Sequence, residues 1–365
     1  MITPNRPRYT PKVVLAERVI RKMAHGVTLY PDEETAEALV GLIVDEDSAA
    51  PTFYVLDTIA PDHEAIQRAG YMVEQGDDLQ DEIMYWLAIN WRRFRDRRRQ
   101  SYGNALAGKW DAPLRYLGDW HKQPGEMFWP SQGDLATARA IVDDEANAMP
   151  QLIAPIVTVA PEWDTEQGPP GDGFDLYATR SDGPNIRVNI WYLNRDLREF
   201  IAARPEVLPD DMLPSLPPLG WHLTDRARFE DEYRLLTEDG LAVSVVEWDA
   251  DDTPPLEICF MTGRVGGNHV IMLVTDQKYP AVAPAVRIAP MLRVGEDDDL
   301  FARLWEASEP LDLTALSDFA WSPDRTLLAL VRAVEAHIGS SAPDTASAGG
   351  TGEPPEEATE APPAG

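Results

Sequence analysis

A single cysteine, Cys259, stands in 365 residues. One thiol forms no disulfide and no cysteine-rich zinc ribbon within a chain, so the composition suits a reducing compartment. Basic residues are also scarce: 32 Lys and Arg against 62 Asp and Glu leave a formal net charge of -30. Nucleic acids and anionic membranes reward clustered cations, so neither is expected as a partner, and the charge is read as serving solubility. Long apolar runs are missing too. No stretch approaches about eighteen consecutive apolar residues, and the opening MITPNRPRYTPK carries no apolar signal core. The expected location is cytoplasmic.

The length allows two domains of about 100–200 residues each. Pro205 to Gly220, with prolines at 205, 209, 214, 217 and 218, reads as a semi-rigid linker between residues 1–204 and 221–338. From Gly339 to Gly365 no large apolar residue occurs, which predicts a disordered tail.

Within 1–204, apolar spacing predicts a helix over Val13 to Leu29, and Ala38 to Asp45 and Thr52 to Ile59 read as a strand hairpin. Asp78 to Arg99 reads as an amphipathic helix with Leu79, Ile83, Trp86, Leu87, Trp91 and Phe94 buried. It ends in RRFRDRRR, whose cations suit a helix C-terminus or the docking of an acidic partner. Leu152 to Val159 and Ile186 to Tyr192 add strands, and the first domain is expected to close near Arg204 as an α/β sandwich.

Tyr116 to Asp134 reads YLGDWHKQPGEMFWPSQGD. A short strand, Leu114 to Leu117, meets a glycine turn at Gly118 and runs into Trp120-His121. A proline-bearing loop then delivers Ser131 and Asp134 to the mouth of a helix over Leu135 to Ala148. An imidazole, a hydroxyl and a carboxylate are thereby gathered in one place.

This stretch resembles the signature of the JAMM metalloproteases (MPN/JAB fold), in which a Gly-Asp/Glu-Trp strand leads into His-x-His-Pro and, after seven residues, Ser-x-x-Asp. His121, Pro124, Ser131 and Asp134 stand at those spacings, with Gln123 in the second histidine position. Upstream, Glu34-Thr35-Ala36-Glu37-Ala38-Leu39-Val40-Gly41 is similar to the family's Glu-Thr-Gly-Gly-Ile-Leu-x-Gly segment. The resemblance implies that His121 and Asp134 are zinc ligands, Glu34 the catalytic base and Ser131 the oxyanion donor. In such a site zinc lowers the pKa of its water to about 7, and a glutamate takes the proton. Protein zinc sites draw on Cys, His, Asp and Glu, so Gln123 marks a lost ligand and zinc is expected to be weakly held or absent. His63 is a remote substitute. The resemblance further implies a groove for an extended tail, and Trp120, Phe128 and Trp129 are expected as its apolar walls.

In the second region, Asp225 to Leu236 reads as a helix and Ala242 to Trp248, Leu256 to Thr262, His269 to Thr275 and Ala285 to Ile288 as strands. Tyr279-Pro280-Ala281-Val282-Ala283-Pro284, then Trp321-Ser322-Pro323 before a helix over Thr326 to Ile338, resemble the ubiquitin-conjugating-enzyme fold and its UEV and RWD relatives. No cysteine lies between Arg293 and Ala320, where that family keeps its nucleophile, so no conjugating activity is expected. Cys259 in LEICF reads as a buried small hydrophobe.

The expectation is therefore an α/β (α+β) protein in which a degenerate JAMM-like domain precedes a cysteine-less conjugating-enzyme-like domain. Its expected role is to bind a ubiquitin-like protein in a prokaryote-type conjugation system, with activating or conjugating enzymes as further partners. The rival readings are an active zinc isopeptidase and a scaffold or dimerisation protein with no ubiquitin-like partner.

Overall fold

The computed structural model describes residues 10–48, 50–62, 67–69, 72–74, 78–102, 108–123, 125–160, 174–178, 185–292, 295 and 299–341. The chain mixes helices and strands throughout. It divides into two compact units. The first runs through Phe229 and takes in Val246–Cys259 and Val274–Lys278; the second comprises Glu230–Val245, Phe260–Leu273 and the residues from Tyr279 onward.

The first unit is built on β1 (Lys12–Ala16), β2 (Ala36–Val44), β3 (Thr52–Ile59), β6 (Leu114–Lys122), β7 (Gln151–Val159), β9 (Ile186–Asn194) and β10 (Ile201–Leu208), with β4 (Gln67–Ala69), β5 (Met72–Glu74) and β8 (Asp175–Ala178) as short additions. The order β10-β1-β3-β2-β6-β7-β9 closes on itself through pairing of β9 with β10. The strands thus form a closed seven-stranded ring rather than the expected sandwich, and β8 pairs with β9 beside it.

Strand β1 accounts for one departure from the sequence reading. Val13, Val14, Leu15 and Ala16 are all buried, and the strand runs parallel to both β3 and β10. A strand flanked by parallel partners reads as an unbroken apolar run. Here the run continues at helical spacing into helix α1 (Glu17–Leu29), which buries Val19, Ile20, Met23, Ala24 and Val27. Strand and helix therefore merge into one apparent helical pattern.

The expected linker is also partly strand. β10 passes through Arg204 and pairs Pro205 with Val13, at a point where its pairing with β9 has ended at Ala203. A strand with one neighbour tolerates a residue lacking an N–H. Further on, Asp210 accepts from the Arg18 backbone N–H at 2.8 Å and from Arg21 at 2.5 Å, and the carbonyl of Pro218 accepts from the Trp86 indole at 3.0 Å. Residues 205–218 are thus anchored to the first unit.

Of the six residues expected in its buried stripe, helix α2 (Asp78–Tyr102) buries Trp86, Leu87 and Trp91 and leaves Leu79, Ile83 and Phe94 half-buried. Four of its six arginines are engaged by the chain itself: Arg95 and Arg99 hold Asp111 at 2.9 and 2.5 Å, Arg93 pairs with Asp249, and Arg97 donates to the Asp252 carbonyl at 3.0 Å, while Arg98 lies over the Trp91 ring. Neither a simple helix cap nor a free docking patch describes them.

Helix α3 (Gln132–Asp143) follows β6, and a helical turn at Glu145–Asn147 follows it. After α4 (Trp221–Thr224) and α5 (Arg226–Glu238), the strands β11 (Leu241–Trp248), β12 (Glu257–Arg264), β13 (His269–Thr275), β14 (Ala285–Pro290) and β15 (Glu309–Leu311) form a sheet in that order. Helix α6 (Leu300–Ala307) precedes β15 and α7 (Leu327–Ser341) ends the described chain, running three residues into the expected tail; residues 342–365 lie outside it. In the second unit, fully buried Glu232 accepts from the Tyr279 hydroxyl at 2.5 Å and from the Leu327 N–H at 2.7 Å. The Trp321 indole donates to the Pro280 carbonyl at 2.9 Å. The Tyr-Pro and Trp-Ser-Pro motifs, forty-one residues apart, therefore meet in space.

Candidate functional site

Strand β6 is longer than the sequence suggested, and Gly118 lies inside it. Leu39 pairs with Gly118 and Val40 with Tyr116, which leaves Leu117 as a bulge. Gly118 has φ +127°, and a Cβ there would sit 2.0 Å from the Ile153 carbonyl oxygen. A bulge bends its strand and re-aims the side chains beyond it. Past this one, β6 leaves β2 at Ala36–His121 and joins β7 in parallel through His121–Ile156 and Lys122–Val157.

Alternation along β6 separates the expected site residues. Trp120 is fully buried, and its ring would meet a Cβ on Gly26 of α1 at 2.9 Å. It is a core residue and cannot wall a groove, a correction that follows from its standing on the strand face opposite His121. Lys122 shares that inner face and is 1% exposed. Its ammonium donates to the carbonyls of Tyr30, Pro31 and Glu33 at 2.7, 2.6 and 3.0 Å. The carbonyls that end α1 and the segment leading to Glu34 are held in this way by the residue next to His121. Lys122 was not singled out in the sequence; a lysine two residues after Trp120, on the same face of the strand, was the available signal.

His121 Nε2 lies 3.9 Å from Asp134 Oδ1. Burial lowers the His121 pKa, against the opposing pull of Asp134, so the imidazole is neutral at neutral pH and the contact is neither an ion pair nor a hydrogen bond. Asp134 closes a capping box at the start of α3: its Oδ2 accepts from the Ser131 N–H at 2.6 Å, and its own N–H donates to Ser131 Oγ at 3.2 Å. Glu34, in the segment between α1 and β2, is largely buried, and its pKa is raised by burial first and by the charge of Asp134 second. Two stretches about ninety residues apart thus place Glu34, His121 and Asp134 in one electrostatic neighbourhood.

Gln123 is 3% exposed and donates its backbone N–H to Val157 at 3.0 Å, while its side-chain oxygen is buried with no partner among the described residues. Phe128 and Trp129 pack edge to face at 4.7 Å; Trp129 is 52% exposed, whereas Phe128 lies under the Arg187 guanidinium, 3.6 Å from its ring centre. Pro124 and His63 lie outside the described residues.

A resident zinc ion fits this set poorly. Zinc held at about 2.0–2.1 Å by each ligand needs three charged or imidazole donors around it. Here His121 and Asp134 supply two, Gln123 offers a neutral amide oxygen, and one oxygen of Asp134 is engaged in the helix cap. Among the described residues, the group of three acidic or imidazole ligands gathered within 4.8 Å is Asp249, Asp251 and Glu257, at the turn from β11 to β12. That cluster was not anticipated, although DADD before Glu257 could have suggested it. One oxygen of each is engaged, that of Asp249 with Arg93, of Asp251 with the Thr253 N–H at 2.8 Å and of Glu257 with the Ala250 N–H at 3.0 Å, while Asp249 Oδ1 is buried without a hydrogen-bond partner among the described residues. Cys259 is fully buried, and burial pushes its thiol up to about 12, which removes it as a nucleophile. No helix of the described residues is long and apolar enough to cross a membrane.

Neither a family model nor a curated protein matches the chain. The solution structure of protein DSY2949 from Desulfitobacterium hafniense is similar over 54% of this chain and 93% of its own, at 11% identity and a TM-score of 0.30. That likeness is too slight to bear on fold or function.

Proposed function

We propose that the chain is a non-catalytic recognition component of a ubiquitin-like conjugation system, with a degenerate JAMM-type site in its first unit and a cysteine-less conjugating-enzyme-like fold around its second. The observation that carries this reading is the convergence of Glu34, His121 and Asp134 from two separate segments, at the spacings the resemblance implies, with Gln123 at the sequence position where the resemblance implies a further ligand. The meeting of the Tyr279-Pro280 turn with Trp321 and the start of α7 supports the second half.

The chemistry of the donors favours binding over hydrolysis. With two good ligands and an amide, the site offers no strong Lewis acid to work beside the Ser131 hydroxyl, whose oxygen accepts in the helix cap. Recognition needs neither. An extended tail laid along a strand gains main-chain hydrogen bonds, and exposed Trp129 supplies an apolar contact beside Ser131.

Calorimetry of the full chain with a candidate ubiquitin-like protein tests this. Trp129→Ala should weaken binding about tenfold while thermal unfolding stays unchanged. Binding that survives this substitution removes the groove from the account, and multiple-turnover cleavage of a ubiquitin-like isopeptide removes the non-catalytic reading.

A further inference from the structure

Away from His121, the first unit holds a cavity of about 520 Å³, within the range of about 300–1,000 Å³ usual for small-molecule sites. It lies where β9 changes partners: Asn189 pairs with Asp175 of β8, and the next residue, Ile190, pairs with Ala203 of β10. Side chains alternate along a strand, so Arg187, Asn189 and Trp191 share the outer face of β9 while Val188, Ile190 and Tyr192 go to the core. Phe128, Phe174 and Ile201 complete an aromatic and aliphatic lining. The indole of Trp191 donates to the Phe128 carbonyl at 2.9 Å, which ties that loop to the strand.

The charges in this wall cancel. Arg187 lies over Phe128, 3.6 Å from its ring centre, and pairs with one oxygen of Asp175 at 2.7 Å, while the Asn189 amide nitrogen donates to the other. One carboxylate thus clamps the two side chains next to each other and leaves no net charge for a ligand to balance. What remains is hydrogen-bonding capacity: Arg187 Nε, a donor, and Asn189 Oδ1, an acceptor, are both buried without a partner among the described residues, and Asn189 as a whole is 5% exposed. Buried polar groups are ordinarily paired, so an unpaired donor and an unpaired acceptor in one cavity wall call for a partner that offers both.

We propose that this cavity binds a neutral, flat aromatic ligand carrying a lactam or carboxamide edge, its N–H toward Asn189 Oδ1, its carbonyl toward Arg187 Nε and its ring against Phe128, Phe174 and Trp191. An amide edge suits the pair because it sets one donor and one acceptor side by side in a plane and brings no charge. A carboxylate would leave the Asn189 oxygen unpaired, and an ammonium would leave the Arg187 N–H unpaired. The site is independent of the reading given to His121 and Asp134.

Titration calorimetry of the full chain with 2-quinolone and N-methyl-2-quinolone tests the assignment, because the second probe keeps the ring and the carbonyl and loses only the N–H. The lactam should bind saturably with one site per chain and its N-methyl derivative at least about tenfold more weakly, an unpaired buried acceptor costing about that much. Asn189→Leu, similar in size but without the acceptor, should bring the two probes within about twofold of each other. Ala202 pairs with Trp191 and lines the cavity while only half-buried, so Ala202→Leu fills the space without disturbing the core and should abolish binding of both. Equal binding of the two probes, no saturable binding of either at millimolar concentration, discrimination retained in Asn189→Leu, or binding unchanged in Ala202→Leu would each overturn the proposal.

Discussion

Replacing Gly118 with alanine tests how the site is aimed. The residue sits at φ +127°, a region that side chains avoid, and its Cβ would lie 2.0 Å from the Ile153 oxygen and 3.1 Å from the carbonyl carbon. Ordinary carbon contacts lie at about 3.5–4.0 Å, so β6 and β7 would have to separate by more than about 1 Å. These strands meet through only two residue pairs, one of which is His121–Ile156. The backbone strain costs about 1–3 kcal/mol and the overpacking about 1–3 kcal/mol, so Gly118→Ala should destabilise by about 3–5 kcal/mol. Gly125→Ala is the control: φ is +69° with nothing within 4 Å of the added atom, so it should cost about 1 kcal/mol. Urea unfolding with unchanged m-values measures both. Equal costs for the two variants would refute the bulge as the device that re-aims β6.

His222 packs 5.0 Å from the Trp86 ring centre, and burial lowers its pKa to about 4. The unfolded chain therefore takes up that proton first as the pH falls, and stability should drop between about pH 6.5 and pH 4. Allowing for its partial exposure, the loss is about 2 kcal/mol, and chemical denaturation of His222→Phe should show a flatter profile in this window. Glu232→Ala leaves the Tyr279 hydroxyl and the Leu327 N–H without their buried acceptor, and should cost about 2–4 kcal/mol in thermal or urea unfolding. Lys122→Met removes three hydrogen bonds from the end of α1 and should cost about 3 kcal/mol, with faster amide hydrogen exchange over residues 30–35.

The parts of the fold legible in the sequence are those set by local pattern. Thr52–Ile59 and His269–Thr275 are apolar runs between turn signals and stand as strands at the expected bounds, and of the expected α2 stripe Trp86, Leu87 and Trp91 are buried while Leu79, Ile83 and Phe94 are half-buried. What local pattern could not show is pairing. β1 looks helical because both its faces are covered, and β10 looks like linker because its one proline, Pro205, falls where one neighbour is missing. The motif's spacing anticipated that His121, Asp134 and Glu34 lie near one another, but not the faces of β6, which put Trp120 in the core and make Lys122 the anchor for the Glu34 segment. The cavity on β9 was illegible because it assembles Phe128, Arg187 and Ile201 from a loop and two strands.

The proposed function takes Gln123 to stand where a zinc ligand would be needed. Elemental analysis of the purified full chain, beside Gln123→His, tests it most directly. The account predicts well under one zinc per wild-type chain and an occupancy approaching one in Gln123→His, because the substitution supplies the imidazole that His121 and Asp134 lack. Stoichiometric zinc in the wild-type chain, lost in His121→Ala, would contradict it.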